Sequence, residues 1–211
     1  MLPINCFYCS RLISRQLTDG RAICALCLKS AITDAEEAKA LVEQARGHLQ
    51  NHGITVGGKL AKVMLLERSS LQKSSRRRRK QSEEAGYTRL EKKTVNGRLL
   101  SFSMQIFILQ GLPELHFIAT AAHELMHVWQ HLYAVPENDR RLREGSCNYA
   151  SYLVLQDLAR NPQYTEQANY IIRTYLENKD PVYGKGFQKV YRLAQDRGTA
   201  GWLEYLKKNK R

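Results

Sequence analysis

The order of patterns along the chain predicts an α+β fold, in which a small sheet is followed by helices that pack on it. Three observations carry this. Residues 54–112 contain strand-like apolar runs with an Asn96-Gly97 turn dipeptide between two of them. From Pro113 onward the chain reads as successive helices, and the first 30 residues are cysteine-rich and short of core-forming repeats. The expected organisation is a small module over 1–33, a bridging helix over 34–53 and a main domain over 54–211.

A chain of 211 residues can hold one ordinary domain and a small appendage. With 43% hydrophobic and 25% charged residues, its composition is that of a folded globular protein rather than a disordered one. The start, Met-Leu-Pro-Ile-Asn-Cys, has no charged segment ahead of a long apolar run, so no secretory signal is expected. The longest apolar stretch, near Ile106 to Leu115, is broken by Gln110, Gly111 and Pro113, which argues against a membrane span. A cytoplasmic protein is the plain expectation.

The formal charge of +13 suggests nucleic acid until it is located. Residues 73–93 hold nine Lys/Arg and three Glu, a net of +6, and the last five residues add +4, which leaves +3 for the other 185 positions. The run Arg76, Arg77, Arg78, Arg79, Lys80, flanked by serines, reads as a solvated loop. A weak electrostatic contact of residues 76–80 with nucleic acid is the alternative.

Thr33-x-x-Glu36 has the form of a capping box, and Gly53 offers a stop for a helix over roughly 34–51. Lys62–Glu67 is a strand candidate, and Asn96-Gly97 joins Leu90–Val95 to Arg98–Leu109 as a hairpin. Pro113 suits the first position of a helix running to about Tyr133. Further helices are expected over 139–160, 165–178, 185–197 and 199–208.

Cys6-x2-Cys9 and Cys24-x2-Cys27, fourteen residues apart, have the spacing of a structural zinc site with four thiolate ligands. With a turn at Asp19-Gly20, they imply a small knuckle, hairpin and helix module of treble-clef type, whose folding depends on the metal. Such a closed site supports structure or protein docking rather than catalysis.

His123-Glu124-Leu125-Met126-His127 lies on the first of the late helices. Histidines four apart share a helix face, so both imidazoles can meet one Zn²⁺ while Glu124 borders the site as a general base. His131 and His116 are too far along the axis to join His123 on one ion, and the elongated motif fails because Gln130 and Tyr133 occupy its Gly and His places. The third ligand must come from another element. Glu144, early in the next helix, is preferred over Glu137, Asp139 and Asp157 because an antiparallel helix pair would carry it back over His123 and His127. Asn148, one turn further on, is placed to orient Glu144 or a histidine. Cys147 reads as small packing rather than a nucleophile.

Four stretches together resemble the LIM-domain peptidases that limit organ growth in plants, the DA-one-like family, and their bacterial relatives. They are the cysteine module with its following helix; Gln110-Gly-Leu-Pro113 leading into Ala122–Trp129; Arg143-Glu-Gly-Ser-Cys147; and Asp180-Pro-Val-Tyr-Gly-Lys-Gly-Phe187. The resemblance implies a zincin-like peptidase domain with a gluzincin-like third ligand, and a protein or peptide as substrate. It implies catalysis at His123, Glu124 and His127, strengthens Glu144, and makes Tyr183 a candidate donor to the transition-state oxyanion. Two zinc ions, one catalytic and one structural, are expected. Only one four-cysteine module is visible where a full LIM domain has two zinc sites, and the ubiquitin-interacting segments of plant members are not seen, so a minimal member is expected.

Overall fold

The computed structural model describes residues 5–57, 59–74, 85–95, 98–133 and 139–208, which form a mixed α+β structure. Two short antiparallel strands, β1 (Arg15–Gln16) and β2 (Ala22–Ile23), precede a one-turn helix α1 (Ala25–Lys29) and the long α2 (Ala35–Asn51). Strand β3 (Lys59–Leu66), helix α3 (Arg68–Ser74) and strands β4 (Gly86–Val95) and β5 (Arg98–Leu109) follow. Helices α4 (Glu114–Leu132), α5 (Arg140–Leu158), α6 (Thr165–Glu177) and α7 (Tyr183–Lys208) complete the chain, with α7 broken at Gly198 (φ 70°, ψ 168°).

The larger sheet has the order β3-β5-β4, with β5 parallel to β3 and antiparallel to β4. Val95 pairs with Arg98 across the hairpin; its Asn96-Gly97 tip and residues 76–80 lie outside the described residues. Met104, Ile106 and Ile108 alternate along β5 and are fully buried, as the period of two requires for a strand facing a core. Helix α4 is buried nearly all round, from Leu115 and Phe117 to Val128 and Trp129, because it runs between the sheet and helices α2 and α5. Complete burial of side chains such as Phe117, Trp129, Phe187 and Trp202 contributes roughly 1.5–3 kcal/mol each.

Several local expectations need correction. Asp34, not Thr33, caps α2: its Oδ1 accepts from the backbone N–H of Glu36 and Glu37, at 3.0 and 2.8 Å. The helix ends at Gly53 (φ +78°), where Gly53 N–H bonds Gln50 O and Ile54 N–H bonds Leu49 O in a Schellman pattern. Helix α2 also does more than bridge, since Ala38, Leu41, Val42, Ala45 and Leu49 enter the core. Pro113 is the N-cap of α4, in extended conformation (φ −58°, ψ 147°), rather than its first residue. The loop expected at residues 76–80 lies outside the described residues; on either side of it Lys73 belongs to α3 and residues 86–93 to β4, which pairs with β5 and starts earlier than the expected Leu90.

Candidate metal centres

Among the described residues two clusters bring metal-binding atoms together: Cys6, Cys9, Cys24 and Cys27, and the residues around His123 and His127. In the first, the four sulfurs lie within 4.8 Å of one another and all four residues are buried. Cys9 Sγ is 3.5 Å from the sulfurs of both Cys24 and Cys27. The knuckle around Cys6 turns through Ser10 (φ 57°), whose N–H bonds Cys6 O. Cys24 caps α1, and Cys27 N–H points at its sulfur. Burial opposes ionisation of Cys24, but that N–H and the neighbouring thiols bring its pKa down to about 7.

The cysteine cluster is bonded to the body through the Gln110–Pro113 turn. Arg21, 6% exposed, donates to Asp19, to the Tyr8 hydroxyl and to Gln110 O. Gly111 (φ +75°) donates to Ile32 O, Ile32 to Leu112 O, and Glu114 N–H to Ser30 O. His116, half-buried, reaches Tyr8 O with Nε2 at 3.0 Å. Burial pushes its pKa down to about 4, so the imidazole is neutral and donates to that carbonyl.

In the second cluster, α4 carries His123 and His127 on one face and α5 returns antiparallel beside it. Glu144 Oε2 lies 3.4 Å from Nε2 of both histidines. Burial alone would raise the Glu144 carboxyl, but hydrogen bonds from His123 and His127 hold it far below the usual carboxylate range. Burial pulls His123 down, yet Glu144 and Glu124 outweigh it and raise its pKa. Glu124 is 5% exposed and faces β4, where Thr88 Oγ1 donates to its Oε2 at 3.1 Å. Gly86 permits that approach, since a Cβ there would stand 3.0 Å from Thr120 Cγ2 and 3.2 Å from Glu124 Cγ.

The outer ring nitrogens are also held. His123 Nδ1 is 3.1 Å from Asn148 Oδ1, and Asn148 Nδ2 donates to Tyr183 O at 3.3 Å. His127 Nδ1 is 3.2 Å from Gln130 Oε1, and Gln130 Nε2 donates to Arg143 O at 2.8 Å. Cys147, taken from sequence as packing, is fully buried with Sγ 3.3 Å from His127 Nδ1. His123, His127 and Cys147 together could hold a metal ion. Glu144 meets the same histidines from the Nε2 side. Tyr183 opens α7 half-buried, with the Arg140 guanidinium 5.8 Å from its ring centre. His131 is exposed at the far end of α4.

Sequence reasoning missed Thr88, Gln130 and the reason for the glycines. Gln130 is one helical turn from His127 and was legible from that spacing; Thr88 depends on strand register and was not. A Cβ on Gly145 would lie 2.2 Å from Gly186 C, and one on Gly186 would lie 2.3 Å from Arg141 O. The glycines therefore let α7 touch the backbone of α5 beside Glu144.

A family model described as DA1-like, Protein DA1, matches residues 36–175, about two thirds of the chain. The chain belongs to the DA1-like family. It is 30% identical over 182 residues to the LIM domain-containing protein HDR3 of Oryza sativa subsp. japonica, covering 74% of this chain and 35% of that protein. It is 28% identical over 188 residues to Protein DA1-related 2 of Arabidopsis thaliana (72% and 34% covered), and 24% identical over 256 residues to Protein DA1 of the same plant (96% and 48%). The chain thus spans between a third and a half of the length of these relatives. No solved structure matches it. The DA1-like match takes in the whole His-Glu-x-x-His helix and Glu144, and among the described residues no helix is long and apolar enough to cross a membrane.

Proposed function

We propose that this DA1-like chain is a zinc-dependent endopeptidase with a zincin-like domain, hydrolysing peptide bonds in protein substrates. The observation that carries the reading is the convergence of His123 Nε2, His127 Nε2 and Glu144 Oε2, with the buried Glu124 carboxylate alongside. Two imidazoles and a carboxylate, partly open to solvent, fit a catalytic zinc, which needs three protein ligands and a vacant position. Zinc held there supplies a Lewis acid for the scissile carbonyl and a water of lowered pKa. Glu124 would be the general base and acid, holding at its carboxylate the proton that passes from the attacking water to the leaving amine. Thr88 fixes the carboxylate by donating to Oε2. Asn148 accepts from His123 Nδ1, so that Nε2 is the nitrogen that would bind the metal. Tyr183, anchored through its carbonyl to Asn148, is the proposed donor to the oxyanion.

The set with Glu144 is preferred to that with Cys147. The thiol approaches His127 at the nitrogen facing away from Glu144, and burial followed by the Glu144 charge pushes its pKa well up. Cys6, Cys9, Cys24 and Cys27 would hold a second, structural zinc, in keeping with the LIM domain in the name of the rice relative. In this reading residues 1–33 form the zinc module, which supports the peptidase domain or docks a protein partner, and the chain works in the reducing cytoplasm.

Wild type and Glu124→Gln are to be compared on an unfolded protein and a peptide library, with metal content measured for both. The expected result is two zinc ions per chain in each and a fall in cleavage of about 10²–10⁴-fold in the variant. Equal activity, or no cleavage by metal-loaded wild type, would sink the proposal.

A further inference from the structure

The two histidines are built alike in one respect. Each presents Nδ1 to a side-chain amide oxygen, and each amide is locked by donating to a backbone carbonyl: Asn148 to Tyr183 O, and Gln130 to Arg143 O. A carbonyl cannot donate, so the NH₂ of each amide must face it and the amide oxygen must face the ring. An amide oxygen cannot donate either, so His127 carries a proton on Nδ1, and the Nε2 that meets Glu144 Oε2 in this structure is the atom left to face a metal.

His127 has a competitor that His123 lacks. Cys147 Sγ stands 3.3 Å from the same Nδ1 and 3.6 Å from Gln130 Oε1. Were the thiol to donate to Nδ1, the proton would move to Nε2, which faces Glu144 Oε2 and would then be lost as a ligand atom. Gln130 is 2% exposed and accepts from both the ring and the thiol, so it gives Cys147 another place for its hydrogen. The Arg143 carbonyl that orients Gln130 also immediately precedes Glu144.

We infer that Gln130 is a positioning residue that selects the His123, His127 and Glu144 donor set over the His123, His127 and Cys147 set by fixing the His127 tautomer. This rests on the peptidase reading for the presence of a metal at these histidines, though not for hydrolysis. The sequence signal was the glutamine at the place where the elongated zinc motif has glycine.

Two variants of nearly the same volume separate tautomer control from simple packing. Gln130→Glu keeps an acceptor for Nδ1 and loses the donor to Arg143 O; Gln130→Met loses both. Zinc affinity at the histidine site is read by chelator competition with the cysteine site kept zinc-loaded, and cobalt is then placed at the histidine site for its absorption spectrum. The expected result is about 10–100-fold weaker binding in Gln130→Met, with Gln130→Glu within a few-fold of wild type. Gln130→Met also gains a thiolate-to-cobalt charge-transfer band, which disappears in Gln130→Met combined with Cys147→Ser.

Equal effects in the two single variants, or wild-type affinity and spectrum in Gln130→Met, would overturn the inference. Should wild type bind metal at His123 and His127 without cleaving any substrate, the peptidase reading fails alone and the affinity comparison still decides this one. Should it bind none there, both fail.

Discussion

The four-cysteine cluster and the histidine cluster offer metal-binding atoms in opposite ways. The cysteine donors come from the knuckle at Cys6–Cys9 and from the cap and first turn of the short α1, all buried, and their surroundings have little apolar core of their own. The histidine-side donors come from two helices of 19 residues each, with the His123 and His127 side chains 18% and 21% exposed and Glu144 1% exposed. A closed site contributes folding free energy through its metal, whereas an open one is assembled by packing that stands without the ion. Two clusters in one chain can therefore take the same metal and use it for different ends. Removing donors from each should separate stability from activity.

The largest contrast is expected between Cys24→Ser and His123→Ala. Structural zinc sites of this kind supply on the order of 10 kcal/mol in small domains. Cys24→Ser should lose one metal per chain, release residues 5–30 to proteolysis and lower the melting temperature sharply. His123→Ala should also lose one metal, yet keep its helices and its resistance to protease. Limited proteolysis with mass analysis reads the difference. If both variants unfold alike, the separation between the two sites is wrong.

A smaller effect sharpens how the open site is assembled without help from the metal. Gly186→Ala drives a methyl to 2.3 Å from Arg141 O, and the α5 backbone cannot yield as a flexible side chain would. A loss of about 3 kcal/mol is expected, with the proposed cleavage reduced further because α5 carries Glu144. Gly20→Ala, in the hairpin of the cysteine module (φ +87°, nothing within 4 Å), should cost about 1 kcal/mol through backbone strain alone and leave cleavage unchanged. Denaturant unfolding and initial rates on one peptide substrate check both.

Much of this was legible in the residues. The i, i+4 histidines, the paired Cys-x2-Cys motifs, the Asn-Gly hairpin and the helix ends at Gly53 and near Gly198 are local patterns, with causes within a few residues of one another. Glu144 was reachable as well, because helices joined by a short connection return antiparallel. What the residues hid was set by register and docking across long separations. Thr88 reaches Glu124 only because β4 lies at that height against α4, and His116 finds its partner only because the Tyr8 carbonyl is brought against α4. Helix α3 and the first four residues of β4, ahead of the expected Leu90–Val95, were missed for a related reason: that part of β4 is held by its partner β5 rather than by its own composition. Asp34 beat Thr33 to the cap because its carboxylate reaches two N–H groups at once.

One more substitution tests the link between the two regions. Arg21 joins the cysteine module to Gln110 O at the entrance of α4, with its side chain 5% exposed and that of Asp19 18% exposed. Arg21→Met keeps the apolar stem and the backbone N–H that Asp19 Oδ1 accepts, but removes the side-chain donor to Asp19, the Tyr8 hydroxyl and Gln110 O, at an expected cost of about 2 kcal/mol. Burial alone would raise Asp19, but the Arg21 hydrogen bonds outweigh it and hold its pKa below the usual value. A lowered folded-state pKa gives stability that is present above the unfolded carboxylate value, about 4, and is lost as pH falls through the folded one. The stability gap between wild type and Arg21→Met should accordingly be constant from pH 5 to 7, within about 0.5 kcal/mol, and narrow below pH 4. Metal content at both clusters should be unchanged at neutral pH, since Arg21 touches no ligand residue. A gap that persists undiminished at low pH would mean that Arg21 acts through packing and its bond to Gln110 rather than through its charge pair with Asp19.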